Sequence, residues 1–317
     1  MKNGKRPVLI VAGPTASGKS ALALAVAKEF GGVVINADSM QIYRELRILT
    51  ARPSPEDEAR APHRLYGVLP ASERCSAGRW REMALAEIAA AHDAGRLPIV
   101  CGGTGLYLKT LTEGLSPMPE VPADIRAQLQ TRLEAVGAQA LHAELASCDP
   151  DMAERLEAGD SQRVLRALEV LQATGMSLAE WQAGPADAPP ETLHFATVLL
   201  APPREVLYAA CDERLAAMLD AGALDEVRQL NARNLDPSLP AMKALGVREF
   251  SEYLAGNCDI QQALAAAQQA TRRYAKRQMT WFRHQIVADM TLCTQFSERL
   301  LPETFSFIRQ NILTRTN

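Results

Sequence analysis

Residues Gly13-Pro14-Thr15-Ala16-Ser17-Gly18-Lys19-Ser20 spell G-x-x-x-x-G-K-S, and this octapeptide constrains the chain more than any other stretch. It stands between a continuous apolar run, Val8–Ala12, and an alanine-rich helical pattern, Ala21–Phe30. The motif works only between a strand and a helix. Its glycines let backbone N–H groups curl around phosphate oxygens at the positive end of the helix, Lys19 adds a point charge, and the Ser20 hydroxyl is suited to ligating Mg²⁺. A glycine-rich turn with a coincidental Lys-Ser is the competing reading, but it does not call for both flanking elements. The loop predicts a binder of a di- or triphosphate. It leaves open whether a phosphoryl group is transferred or a pyrophosphate leaves, and most chains with this loop transfer or hydrolyse phosphate.

Two further apolar runs, Val33–Asn36 and Pro98–Cys101, follow helix-like stretches and end in the polar turns Ala37-Asp38-Ser39 and Gly102-Gly103-Thr104-Gly105. Fully apolar strands alternating with helices predict an α/β fold of P-loop NTPase type, a parallel sheet with helices on both faces. Ligands of such sheets gather at the carboxyl ends of the strands, where all three polar turns fall. After the proline-rich stretch Ser116–Pro122 only amphipathic helical patterns appear until about residue 190. An inserted all-helical domain is therefore predicted over residues 116–192, between a first core part, 1–115, and a second, 193–317. Leu193–Ala201 reads as a strand, Arg204–Leu230 as a helix carrying Arg214, and Ile260–Ile286 as one long helix.

Bulk properties mainly exclude. The chain has 317 residues, of which 47% are hydrophobic, yet no run approaches the roughly 18 apolar residues of a membrane span. Met1–Arg6 leads straight into a strand-like run instead of a signal-peptide pattern, so a cytoplasmic protein without a membrane partner is expected. The 6 cysteines form no C-x-x-C pair, which argues against a zinc ribbon or a disulfide framework. A formal net charge of −3 means that any nucleic-acid partner has to be argued from a local cluster.

One such cluster is TRRYAKRQMTWFRH, Thr271 to His284. Helical spacing puts Arg272, Arg273, Lys276, Arg277, Arg283 and His284 on one broad face, opposite Ala275, Met279, Phe282 and Ile286. The face is either merely solvated or suited to a phosphate backbone, with Tyr274 and Trp281 at its edge to pack or stack. The basic cluster Gln162–Arg166 has the same two readings. Asp38 is either a general base or a helix N-cap, and Ser39 and Gln41 suit a base edge or a sugar. Gly102–Tyr107 is either a tight turn capped by Thr104 or a loop that touches substrate.

In chain order, GPTASGKS at Gly13, INADSMQIYR at Ile35, GGTGLYL at Gly102, QRVLRALEVLQATG at Gln162 and TRRYAKRQMTWFR at Thr271 resemble the tRNA dimethylallyltransferase family, also called tRNA isopentenyltransferases. The likeness is to the bacterial type and runs over nearly the whole chain. It implies a P-loop core with a helical insertion, dimethylallyl pyrophosphate as donor, Mg²⁺ held at Ser20, and a monomer. The implied acceptor is the 6-amino group of the adenosine at tRNA position 37, in the anticodon stem-loop. By that resemblance Gly13, Pro14, Thr15, Ala16, Ser17, Gly18, Lys19 and Ser20 hold the donor pyrophosphate, and Asp38, Thr104, Lys19 and Arg214 are catalytic. Contact with tRNA falls to Asp38, Ser39, Met40, Gln41 and Thr104, and to Gln162, Arg163, Val164, Leu165 and Arg166 of the insertion. It also falls to Lys243, Ala244, Leu245, Gly246, Val247 and Arg248, and to Lys276, Arg277, Gln278, Met279, Thr280, Trp281, Phe282 and Arg283.

Four positions depart from the family pattern. Arg52 stands where lysine is usual, Arg64 where a second histidine follows His63, Ala210 where arginine is common, and Val247 where tyrosine is common. A small-molecule P-loop kinase shares the loop, the sheet and a strand-end Asp, but it does not predict the Thr271–His284 helix. A tRNA-binding factor that has lost catalysis is the other alternative, and the intact Lys19, Ser20, Asp38 and Thr104 speak against it.

Overall fold

A computed structural model describes residues 5–184 and 187–313. The apolar run around Val8 forms strand β1, Arg6–Ala12, in the middle of a six-stranded parallel sheet. Completing the sheet are β2 (Val33–Asn36), the two-residue β3 (His63–Arg64), β4 (Pro98–Gly102), β5 (Leu193–Leu200) and β6 (Met290–Leu292), in the order β3-β2-β4-β1-β5-β6. Successive side chains on a strand point to opposite faces, so a sheet covered on both sides needs two apolar sets. Val8, Ile10, Val33, Ile35 and Val100 enter one apolar layer, and Leu9, Val11, Val34, Ile99 and Val198 the other. The fold expected from the alternating runs is the fold observed.

Four helices follow the early strands: α1 (Lys19–Phe30), the short α2 (Pro55–Arg60), α3 (Ala77–Asp93) and α4 (Gly105–Glu113). Helix α1 lays Leu22, Ala23 and Val26 on the second layer, whereas Trp80 and Ile88 of α3 and Leu108 of α4 fill the first. Trp80 is fully buried and stacked on Tyr107 with ring centroids 4.4 Å apart. Its indole N–H donates to the Asn36 carbonyl at 2.8 Å, which fixes the end of β2 where a polar turn begins.

Glu113–Ala188 is a compact unit of its own. Its helices are α5 (Ala123–Cys148, kinked at Gly137), α6 (Pro150–Glu154), α7 (Ser161–Thr174) and α8 (Leu178–Ala183). They enclose Leu141, Leu145, Val164, Leu168 and Leu178. Glu169 of α7 is buried and faces Arg126 at 3.4 Å and Arg166 at 3.2 Å, so its charge is balanced inside the unit.

From β5 the chain is back in the sheet unit, with α9 (Arg204–Asp220), α10 (Ala223–Asn231), α11 (Val247–Leu254), α12 (Ile260–Gln285) and α13 (Leu301–Ile308). The pattern Arg204–Leu230 reads as one helix, but the chain breaks at Gly222, whose φ of 102° is outside the helical region. Hydrophobic periodicity continues across such a break and does not register it. Strands β3 and β6 escape sequence reading because two or three residues carry no period. Helix α12 opens with an Asp259–Gln262 capping box and runs 26 residues. Among the described residues no helix is long and apolar enough to cross a membrane.

Candidate active site

The octapeptide joins β1 to α1 as a tight loop in which Ala16 (φ 62°) and Gly18 (φ 87°) take the left-handed conformation. The loop is held from outside by the segment after β6. The Gln295 amide donates to the Ala16 carbonyl at 2.7 Å, and the Phe296 N–H donates to the Ser17 carbonyl at 3.3 Å. Lys19 is 8% exposed and its ammonium donates to the Pro14 carbonyl at 3.3 Å. Burial lowers its pKa and the Asp38 carboxylate partly offsets this, so the site carries a cation short of counter-charge. The Ser17 hydroxyl is buried with no protein partner, while Ser20 is exposed at the head of α1. This is a cradle prepared for an anion.

The Asp38 turn is built by Asn36, which is fully buried. The Asn36 carboxamide accepts from the Asp38 N–H at 2.8 Å and donates to the carbonyls of Asp38 and Leu65, both at 3.0 Å. One Asp38 carboxylate oxygen accepts from the Met40 N–H at 2.9 Å. Beside it, the Thr104 hydroxyl accepts from the Ser39 N–H at 2.9 Å and meets the Ser39 hydroxyl at 3.2 Å. The Tyr274 phenol of α12 lines the same space, and burial first, then the Asp38 charge, raise its pKa, so it is protonated at neutral pH. Arg214 of α9 donates to the Thr15 hydroxyl, which brings a guanidinium to the rim of the phosphate loop.

These groups converge on a cavity of about 220 Å³ bordered by Thr15, Asp38, Arg214 and Tyr274 and walled by the apolar Leu49, Leu215 and Met218. A larger cleft of about 1100 Å³ borders Lys19, Ser20 and Arg214 together with Arg52, His63 and Ala210. Arg214 thus faces both spaces. A small cavity bordered by the Asp38 carboxylate and an apolar wall, sharing Arg214 with a cleft that holds the cationic phosphate loop, suits a reaction in which a phosphate-activated apolar group meets a protic nucleophile.

Of the residues singled out by sequence, Ser39, Met40, Lys243, Ala244, Leu245 and Arg277 also line the small cavity. Lys276, Thr280 and Arg283 are exposed on α12, Gln162 and Arg163 on α7, and Lys243 and Arg248 on either side of the start of α11. Others lie inward. Val164, Leu165, Val247 and Phe282 are buried in apolar cores. Gln41 is buried, and its amide nitrogen donates to the carbonyls of Thr50 and Ala51 at 2.7 and 3.0 Å. Gln278 is buried between two loops. Arg272 leaves the expected basic face for Asp212 at 2.5 Å.

Sequence reasoning missed three residues. Tyr274 was placed at a helix edge and proves to line the cavity; its spacing to Arg277 was the available signal. Asn36 carried only its position before Asp38. Glu226 of α10 had no signal, yet its carboxylate accepts from the N–H groups of Arg47 and Ile48, each at 2.7 Å, and of Leu49 at 2.9 Å. It thereby holds the loop that supplies the Leu49 wall. Of the departures from the family pattern, Arg52 and Ala210 line the large cleft, Arg64 faces Glu87 at 3.6 Å, and Val247 is core.

The third loop approaches the Asp38 turn so closely that a Cβ on Gly102 would lie 2.1 Å from the Ala37 carbonyl oxygen. Backbone cannot swing aside as a side chain can. Gly102→Ala is expected to cost about 3 kcal/mol of stability, read as a lower denaturation midpoint. An unchanged midpoint would mean that the two turns are not packed as described.

Residues 41–285 match the family model described as IPP transferase. A protein named tRNA dimethylallyltransferase from Rhodospirillum centenum is 62% identical over 283 residues, covering 89% of this chain and 90% of that protein. One of the same name from Paramagnetospirillum magneticum is 58% identical over 314 residues, covering 99% of each. Among solved structures, a tRNA isopentenylpyrophosphate transferase from Bacillus halodurans superimposes with a TM-score of 0.70 at 31% identity, covering 98% of both chains. A eukaryotic dimethylallyltransferase described as acting on tRNA does so with a TM-score of 0.78 at 27% identity, covering 96% of this chain and 80% of that one.

Proposed function

The chain belongs to the IPP transferase family, and on that premise we propose that it is a tRNA dimethylallyltransferase. It moves the dimethylallyl group of dimethylallyl pyrophosphate onto the 6-amino group of the adenosine beside the anticodon of tRNA, acting as a monomer in the cytoplasm. The observation that carries this reading is the small cavity, where Thr15 of the phosphate loop and Arg214 share a lining with the Asp38 carboxylate and an apolar wall.

The adenine amine is a weak nucleophile because its lone pair is delocalised into the ring, so both ends of the reaction need help. On this reading Asp38 takes the amine's proton as the new N–C bond forms. The allylic C–O bond breaks and its electron pair leaves with pyrophosphate, whose growing charge meets the loop amides, Lys19 and Arg214. The five-carbon group lies against Leu49, Leu215 and Met218. Because a stacked base cannot reach such a cavity, the adenosine is extruded from its loop, at a cost of a few kcal/mol. Exposed Lys276 and Arg283 of α12 offset that cost by holding phosphates, and Gln162 and Arg163 of α7 add contacts of the same kind.

The residues at the loop fit Mg²⁺. The exposed Ser20 hydroxyl at the head of α1 would offer the ion a hard oxygen ligand beside the bound phosphate. When bound, Mg²⁺ neutralises charge on the departing pyrophosphate.

The deciding experiment follows label from radiolabelled dimethylallyl pyrophosphate into unmodified tRNA with Mg²⁺, beside an ATP-consumption assay. Label on the adenosine next to the anticodon is expected; ATP turnover without label would replace this reading with a kinase. In the same assay, excess EDTA is expected to reduce transfer to background, with recovery on adding Mg²⁺. Lys276→Ala and Arg283→Ala should each weaken tRNA binding and reduce the slope of log K against log salt by about one. A slope that does not change would remove the residue from phosphate contact.

A further inference from the structure

Gln278 lies on the helix that carries the exposed Lys276, Arg277 and Arg283, yet it is only 6% exposed and points inward. Its carboxamide oxygen accepts from the Thr15 N–H of the phosphate loop at 2.8 Å. Its carboxamide nitrogen donates to the Gly103 carbonyl at 2.8 Å. A Cβ on Gly103 would lie 2.4 Å from that nitrogen, so the glycine is what admits the amide. Thr15 is also the residue whose hydroxyl Arg214 holds, and Gly103 immediately precedes Thr104, whose hydroxyl holds the Ser39 N–H next to Asp38. One side chain therefore bridges the loop that cradles the leaving group and the loop that borders the proton acceptor.

We propose that Gln278 is a positioning residue that sets the register between the donor loop and the Asp38–Thr104 edge; the proposal rests on the reading of the site as a dimethylallyltransferase. The chemistry selects this residue type. Glutamate can accept from Thr15 but turns a second oxygen toward the Gly103 carbonyl and adds negative charge beside the pyrophosphate. Leucine fills similar space and bonds to neither. When two bound substrates must meet, a displacement of about 1 Å costs on the order of 100-fold in rate. The amide therefore acts on kcat, through the relative placement of two sites that each still bind.

The test compares the unvaried enzyme with Gln278→Leu and with the nearly isosteric Gln278→Glu, each assayed well below its own melting temperature. Gln278→Leu is expected to lower kcat tenfold to a hundredfold, with KM for tRNA and the dissociation constant for dimethylallyl pyrophosphate within threefold. Gln278→Glu should lower kcat similarly and weaken donor binding in addition. In both, kcat falls at a temperature well below the variant's own melting temperature, so loss of folded protein does not account for it. Exchange of the Thr15 amide, followed by NMR, should accelerate at least tenfold in Gln278→Leu. A raised KM for tRNA with kcat unchanged would make Gln278 a tRNA contact, and a lowered melting temperature with kcat unchanged would make it packing alone; either overturns the proposal. Should the unvaried enzyme transfer no label, the functional reading fails. The bridge is then judged by Thr15 exchange, and protection that survives Gln278→Leu overturns it.

Discussion

Asp38→Asn is expected to lower single-turnover prenyl transfer by about 10³-fold, inside the span a positioned base contributes, with donor and tRNA dissociation constants within threefold. Asparagine is the informative replacement because most of the turn does not depend on the charge. The Asn36 side chain holds the backbone of residue 38, and the bond from the Met40 N–H needs only an oxygen acceptor, which asparagine retains. What the amide cannot do is accept the proton of an attacking amine. A rate within tenfold of the parent would strip Asp38 of that role. A large loss of tRNA affinity would instead make it a binding residue.

The second large effect is expected from Lys19→Met, with a fall in kcat/KM of about 10²–10³-fold. The methionine keeps the buried stem and removes the ammonium. That ammonium is poorly compensated: burial lowers its pKa, and it donates to the neutral Pro14 carbonyl at 3.3 Å. The cost is recovered when charge develops on a departing pyrophosphate in a site that excludes water. Two measurements should therefore move apart. Transfer collapses, while the melting temperature without ligand stays level or rises because an under-compensated charge has gone. A variant that loses stability and activity together would show that Lys19 acts as a structural link in the loop.

The phosphate loop was legible because its function is local: the glycines, Lys19 and Ser20 act within eight consecutive residues between a readable strand and a readable helix. The parallel sheet was legible because its central strands are apolar on both faces. Helix α12 was legible as an amphipathic helix, but its division of labour was not. Spacing puts Arg272 on the basic face without showing that Asp212, 60 residues earlier in the chain, takes it up. Composition makes Gln278 look like one more polar group among cations, although its two bonds reach across 263 and 175 residues. Glu226 illustrates the same limit, since a carboxylate in a helix looks alike whether solvated or holding three backbone amides. Contacts that span the fold leave no trace in local pattern, and they are the ones that orient the site.

Strand β1 has β4 on one side and β5 on the other, and about 90 residues of chain separate those two neighbours. On a ribosome adding 5–20 residues per second, the second edge of β1 stays unpaired for about 5–20 s after the first can close. An open apolar strand edge is an invitation to pair with the wrong chain. The intervening helices have an apolar cluster of their own, so they can collapse on themselves and not onto that edge. The phosphate loop leaves β1 directly, and the groups that steady it, Gln278 and Gln295, are made later still. The nascent chain therefore carries its most recognisable motif well before the residues that make it rigid, and it is in that interval that any chaperone shielding this chain has the most to protect.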